Sequence, residues 1–427
     1  MGMRARGDTW RRWASIVVVM CVAGCARRHD DTLVFWTFGP EGEAVTQLLP
    51  DFERAHPDIH VEVQQLPLSA AHQKLLTAIA GGTTPDMAQL GNTWLPEMVE
   101  LHALAPLQQR AVASKTVVPS DYFASIWATN VSGGELYGIP WYVDTRLLFY
   151  RSDLLKQAGF DAPPRDWSGW RRMLAALSHP GQKIYGILLP TNEYEQLLSL
   201  ALQQPDSLLR DNGSRGNFES HGFKRALAFY VDTFRLQQAP AVTNVEVGDP
   251  WDEFGRGVYA FYFSGPWNVA EFRRRLPMSE QGDWATASLP GPGGPGAGLA
   301  GGASLVVFRA SRHQRAAWTL VEYLSQPLVQ QRFYRLTGDM PPRRSSWDSP
   351  LLQDDAAMRA FRDQLERVKP TPAVPEWERI AVMMQQVAAR AVAGELTVDQ
   401  AAAEMDRQAD IILAKRRSLL DGAEASR

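Results

Sequence analysis

Leu33-Val34-Phe35-Trp36, then residues 42–54, then Ile59-His60-Val61-Glu62-Val63 form the stretch that decides the fold class. Four apolar residues with no polar break read as a short buried strand. Val45, Leu48, Leu49 and Phe52 recur at helical spacing, and 59–63 alternate as a half-buried strand does. A helix is expected over 71–80 and a strand from Asp86-Met87-Ala88. Strand and helix taking turns predict an α/β fold on a largely parallel sheet. The pattern resumes at Leu147-Leu148-Phe149-Tyr150. Helices are expected over 167–178, 222–237 and 316–324, and strands over 185–189, 258–263 and 304–308. From about residue 375 the chain reads as helical, with Val382, Met383, Val387, Ala391, Met405 and Ile412 lining apolar stripes.

Outward from this core, residues 1–24 read as an export signal. Arg4, Arg6, Arg11 and Arg12 precede an apolar run over 14–23, which is shorter than the roughly 20 residues a bilayer span needs. The run ends in Val22-Ala23-Gly24-Cys25, which resembles the lipobox of bacterial lipoproteins. That resemblance implies lipidation at Cys25 and an extracytoplasmic (periplasmic) protein held to the membrane through its lipid anchor only. Cys21 would leave with the signal, so no internal disulfide is expected. Removing four arginines and one aspartate from the formal charge of −3 leaves −6, which offers no bulk attraction to nucleic acid. The 427 residues are enough for two or three domains.

Catalytic signatures are missing from the sequence: there is no G-x-S-x-G, H-E-x-x-H or Walker A lysine. His56 and His60 have i,i+4 spacing, but Pro57 between them prevents a common helix face. A literal G-x-G-x-x-G spans Gly291 to Gly296. Pro292 and Pro295 interrupt it and a strand is expected next, so a dinucleotide cradle is not. Neither a metal nor a cofactor is expected. Tryptophan is in surplus: 14 in all, of which Trp10 and Trp13 fall in the signal. Aromatic and polar residues gather at strand ends and loops: Trp36-Thr37-Phe38-Gly39, Asn92-Thr93-Trp94, Trp141-Tyr142-Val143-Asp144, Asn192-Glu193-Tyr194, Gly265-Pro266-Trp267-Asn268 and Glu376-Trp377-Glu378. Ligands of open α/β sheets sit beyond strand ends. There a tryptophan face covers the C–H face of a pyranose while carboxylates and amides take its hydroxyls.

The same segments carry a family resemblance over almost the whole chain after the signal. Its markers are Leu33-Val34-Phe35-Trp36, Phe52-Glu53-Arg54-Ala55-His56-Pro57, Gly82-Thr83-Thr84-Pro85-Asp86, Tyr137-Gly138-Ile139-Pro140, Phe149-Tyr150-Arg151, Phe263-Ser264-Gly265-Pro266-Trp267 and Gly394-Glu395-Leu396-Thr397. In this order the chain resembles the bacterial extracellular solute-binding proteins of family 1, the ABC-importer receptors that include maltose- and trehalose-binding proteins. The resemblance implies a two-lobed, type II-like periplasmic-binding-protein fold of α/β class, with three hinge crossovers and the ligand cleft between lobes. Crossovers would lie near 142–145, 297–302 and 340–344. The first lobe would be 31–143 plus 301–341 and the second 145–298 plus 344–427.

Carried onto this sequence, the resemblance implies sugar contacts from Phe38, Glu41, Gln89, Asn92 and Trp94 in the first lobe. Trp141, Tyr142, Asp144, Arg146, Gly301 and Gly302 would act at the hinge. Asn192, Glu193, Gly265 and Trp267 would come from the second lobe, and Arg343 and Trp377 would complete the cleft. Pro40 and Thr93 replace charged residues of some maltose-binding relatives. The expected function is a non-enzymatic, monomeric receptor that closes on a carbohydrate, a disaccharide such as maltose or trehalose, and delivers it to the permease subunits. The alternatives are a glycerol-phosphate or polyol receptor and a secreted glycoside-active enzyme with paired carboxylates.

Overall fold

The computed structural model describes residues 32–425, so the expected export signal and the lipidation expected at Cys25 lie outside the described residues. Two sheets organise the chain, built from β1 (Thr32–Phe38), β2 (His60–Leu66), β3 (Met87–Gly91), β4 (Gly138–Asp144), β5 (Leu147–Arg151), β6 (Tyr185–Leu188), β7 (Tyr259–Ser264), β8 (Trp284–Ala287) and β9 (Gly301–Val307). The first sheet has the order β2-β1-β3-β9-β4 and the second β8-β5-β7-β6.

The buried run at 33–36 lies inside β1, which pairs in parallel with β2 and β3. The helix expected over 42–54 spans Glu41–Ala55 and turns Val45, Leu48, Leu49 and Phe52 inward, onto a core shared with Leu33, Phe35 and Met87. Its partner on the opposite face, Leu68–Gly81, buries Ala71, Leu75 and Ala78. Burying an aliphatic or aromatic side chain in this way is worth about 1.5–3 kcal/mol each. In the second sheet the helices Trp167–Leu177, His221–Arg235 and Trp377–Val392 share one apolar core. Val398–Ile412, started by the Thr397–Gln400 capping box, packs on them.

The expectation of a largely parallel sheet needs correction. β9 runs antiparallel to both β3 and β4, and β5 antiparallel to both β7 and β8, while β6 and β7 are parallel. A parallel neighbour needs a crossover of a dozen or more residues. β5 and β9 instead enter their sheets directly from the other lobe, so nothing imposes the parallel direction on them. The chain leaves the first sheet at Asp144 and enters the second at Leu147, with only Thr145 and Arg146 between.

The glycine-rich stretch lies on the return path. Pro290–Gly291 and Gly294–Pro295 pair as a tight hairpin, and Gly298–Leu299 and β9 follow with no helix. The G-x-G-x-x-G spacing is therefore a turn and cradles no phosphate. The third crossing follows the helix Pro327–Thr337, where Met340 bridges to Val143. Val143, Leu147, Ala300 and Met340, all on crossing segments, share a single core between the sheets. No described helix is long and apolar enough to cross a membrane.

Candidate functional site

Arg146, on the two-residue passage between β4 and β5, is the centre of the seam between lobes. Its guanidinium donates to Asp144 Oδ1 and to Glu195 Oε1, each at 3.1 Å, and lies 4.6 Å from the Trp267 ring centroid. Burial works against its charge, but Asp144, Glu195 and Glu193 outweigh that and hold it protonated. Its Nε is buried and has no partner. Asp144 is pushed up from the ordinary carboxylate range by burial, with Arg146 opposing and Glu195 adding.

Two tryptophans rest on glycines at this seam. Trp267 opens the helix Trp267–Arg275 and is 43% exposed. Its ring lies over Gly265, where an added Cβ would strike the six-membered ring. Trp94 lies against Gly91, 3.2 Å from where a Cβ would sit, and packs on Phe38 and His72 with centroids 5.4 and 4.9 Å away. Glycine permits that close approach in both places. The lobes are joined by the Thr93 hydroxyl, which donates to the Glu378 carboxylate on the helix Trp377–Val392. Burial raises the pKa of Glu378, with the Thr93 bond opposing.

On the first-sheet side, buried Gln89 accepts from the Phe38 amide at 2.9 Å and donates to Tyr142 Oη at 3.0 Å. Glu41 is buried and raised, burial outweighing a backbone hydrogen bond and one from Tyr142; its Oε2 has no partner. Asn92 donates to the Ala300 carbonyl at 2.9 Å. Gly301 pairs with Asp144 and Gly302 with Val143. Gly302 has φ +120, and a Cβ there would collide with the Tyr142 carbonyl. Glu193 accepts from Gln196 at 2.5 Å and from Asn244 at 2.8 Å.

The structure thus gathers Glu41, Gln89, Asn92, Trp94, Tyr142, Asp144, Arg146, Gly265, Trp267, Gly301 and Gly302 along one seam, with Phe38 and Glu193 beside them. Three expected contacts are placed elsewhere, and Asn192 stands next to Glu193 on their shared partner Asn244. Trp141 is 2% exposed and packs against Phe35 and Phe333 in the first-sheet core. β4 alternates, so turning Tyr142 toward Gln89 turns Trp141 inward. Trp377 is fully buried in the core of the second sheet and offers only an unpartnered indole N–H. Arg343 donates to Asp121 at 2.7 Å and to the Ser325 carbonyl at 2.6 Å, which fastens the third crossing. Asn192 is exposed and holds the Asn244 amide at 2.9 Å.

Sequence reasoning did not single out Glu195, Glu378 or Asp339, which lie against Arg146, Thr93 and the Met340–Val143 bridge. Tyr194 and Glu378 stood in the aromatic clusters, which was their only signal. Asp339 had none, because its position depends on the Met340–Val143 bridge. Burial and neighbouring Glu41 push Asp339 up to about 7, with a Thr337 hydrogen bond opposing. No group of three or more His, Cys, Asp or Glu among the described residues is arranged to hold a metal ion.

Comparison with known proteins shows which sequences and folds this chain is similar to. The family model described as bacterial extracellular solute-binding protein matches residues 37–331. The solved structure of the sugar-binding protein MalE from the phytopathogen Xanthomonas citri is 53% identical with a TM-score of 0.89, covering 91% of this chain and 99% of its own. The diacetylchitobiose-binding protein DasA of Streptomyces coelicolor is 23% identical and covers 84% of both chains. An uncharacterised lipoprotein of Streptomyces antibioticus is 27% identical, covering 86% of this chain and 84% of its own.

Proposed function

The chain belongs to the bacterial extracellular solute-binding proteins, and from that premise we propose that it is the receptor of an ABC sugar importer. It is a binding protein and not an enzyme. It closes on a disaccharide of the maltose or trehalose kind and hands it to the permease, tethered outside the cytoplasm by lipid at Cys25. The lobes are 31–143 with 301–341 and 145–298 with 344–427. The ligand lies along the Arg146 seam, stacked on Trp267 and Trp94, with hydroxyls bound by Glu41, Asp144, Asn92 and Glu193. The likeness to a sugar-binding MalE and to a lipoprotein supports this reading.

One observation carries it: Trp267, a large apolar ring, stays 43% exposed beside the ion pairs of Arg146 with Asp144 and Glu195. Held over Gly265 and Arg146, it presents one flat face beside carboxylate acceptors, which is what a pyranose requires. The charge speaks against the glycerol-phosphate alternative. The seam cation Arg146 is already taken by Asp144 and Glu195, and Glu41, Glu193 and Glu378 lie nearby. A phosphate would meet net repulsion there.

Calorimetry with maltose, trehalose and glycerol phosphate tests the reading on the wild type and on Trp267→Ala. A disaccharide is expected to bind and glycerol phosphate is not. The variant should lose at least about tenfold in affinity, roughly 1.4 kcal/mol, with Tm within a few degrees of wild type. Unchanged affinity in the variant would remove Trp267 from the site, and binding of glycerol phosphate alone would replace the sugar.

A further inference from the structure

We propose that the hydrogen bond from Thr93 to Glu378 is the end wall of the sugar site, and that it restricts the ligand to the length of a disaccharide. This rests on the sugar-receptor reading above and adds to it the residues that set ligand length. Thr93 lies in the short helical turn Asn92–Trp94 after β3, and Glu378 at the start of the helix Trp377–Val392, so the bond joins the two lobes. Both sequence neighbours of Thr93 belong to the seam. Asn92 donates to the Ala300 carbonyl at 2.9 Å, one residue before Gly301 pairs with Asp144, and Asp144 accepts from Arg146 at 3.1 Å. Trp94 is the platform held against Gly91. The hydroxyl between these two side chains reaches across to the carboxylate of the other lobe.

Beyond this bond the space between the lobes opens again. Glu97 and Glu100, on the helix Leu95–Glu100 that continues from Thr93, face Glu376 and Arg379, which stand on either side of Glu378 in sequence. With Leu101 and with Lys415 of the last helix they line a groove of about 480 Å³, within the roughly 300–1,000 Å³ of small-molecule sites. The groove supplies both acceptors and donors, and Glu376 Oε2 is buried with no partner. Glu97 also lies 2.7 Å from His72 Nε2, and the His72 ring packs on Trp94 with centroids 4.9 Å apart. Platform and groove therefore share one partition, made of His72 and Glu97 within the first lobe and of the Thr93–Glu378 bond across to the second.

A disaccharide stacked on Trp94 ends short of the bridge and leaves it intact. A third ring laid past Trp94 enters the space that the two side chains hold. It must displace the Thr93–Glu378 bond before its own hydroxyls gain anything, and a carboxylate stripped of its donor has to be satisfied again. The longer sugar offers every contact of the shorter one and meets an obstacle besides, so the bridge selects by exclusion. Its effect shows in the ratio of affinities for short and long sugars, and not in the affinity for any single one. With the bridge removed the groove continues the site, and its carboxylates and cations take the hydroxyls of the added rings.

The experiment is calorimetry on the full chain with maltose, trehalose, maltotriose and maltotetraose, for wild type, Thr93→Ala, Glu378→Ala and Thr93→Ser. Wild type should bind the tighter of the two disaccharides at least about tenfold better than maltotetraose. Thr93→Ala and Glu378→Ala, each with native circular dichroism and a cooperative melt, should shrink that ratio at least about fivefold in favour of the longer sugar. Thr93→Ser keeps the donor and should restore the wild-type ratio. Wild type binding maltotetraose as tightly as a disaccharide would overturn the proposal while leaving the receptor reading intact. A ratio unchanged in either alanine variant would also overturn it; an equal loss for all lengths would make the bond a fastener between lobes instead of a wall. No heat with any sugar would overturn both. The wild-type length series stands even if a variant does not fold.

Discussion

At the scale of single residues, what the sequence conveyed was residue chemistry, and what it withheld was facing. Trp267 and Trp141 both stand in short aromatic clusters beside polar residues, and both were reasonable sugar platforms. Only the structure separates them. Gly265 opens space for one ring at the seam, and strand alternation sends the other against Phe35 and Phe333. Trp377 was misplaced for a related reason, since the first residue of an amphipathic helix can face either way until its partner is known. Gly302 allows a sharp prediction. Its φ of +120 lies where L residues are strained, and a Cβ would meet the Tyr142 carbonyl. Gly302→Ala should destabilise the protein by about 1–3 kcal/mol and shift β9 against β4, weakening sugar binding as well. A denaturation midpoint equal to wild type would show that the crossing tolerates a side chain.

At the scale of elements, helices were legible and crossings were not. The Glu41–Ala55 helix could be read because burial of Val45, Leu48, Leu49 and Phe52 writes a 3.6-residue period into the chain. The passages at Thr145-Arg146 and around Met340 are too short to carry any period, and their positions came only from the family resemblance. Arg343 shows what such a passage requires. Its guanidinium is buried and bonds the partly exposed Asp121 carboxylate and the Ser325 carbonyl together. Burial alone would raise Asp121, yet Ser345 and Arg343 hold it below the ordinary carboxylate value. Arg343→Met should cost about 1.5–3 kcal/mol, because it leaves the part-buried Asp121 carboxylate and the Ser325 carbonyl without their donor. Arg343→Lys should recover only part, since an ammonium cannot reproduce the fork to two acceptors. Chemical denaturation of the three proteins measures this, and equal stability of Arg343→Met and wild type would return Arg343 to the list of ligand contacts.

At the scale of the whole molecule, four carboxylates between the two sheets are raised by burial, and that gives the fold a pH signature of its own. Glu41, Asp144, Asp339 and Glu378 are all raised, in each case chiefly by burial. The unfolded chain releases these protons near pH 4, whereas the folded chain keeps them longer, Asp339 to about 7. Between those limits the native state binds more protons than the unfolded state, so stability falls as pH rises through the window and stays low above it. Carboxylates held down by cations or backbone amides, such as Asp121, Asp153 and Asp166, act in the opposite sense. Their contribution is present above pH 4 and is lost as pH falls through their lowered values. The two families together place the stability maximum on the mildly acidic side, near pH 5–6, below the neutral range. Scanning calorimetry without sugar from pH 4 to 9 should show Tm declining from pH 6 to 8. Asp339→Asn should remove part of that decline and leave the acid limb as it is. A wild-type Tm that climbs steadily from pH 5 to 8 would mean that the seam stays hydrated enough to keep its carboxylates ordinary.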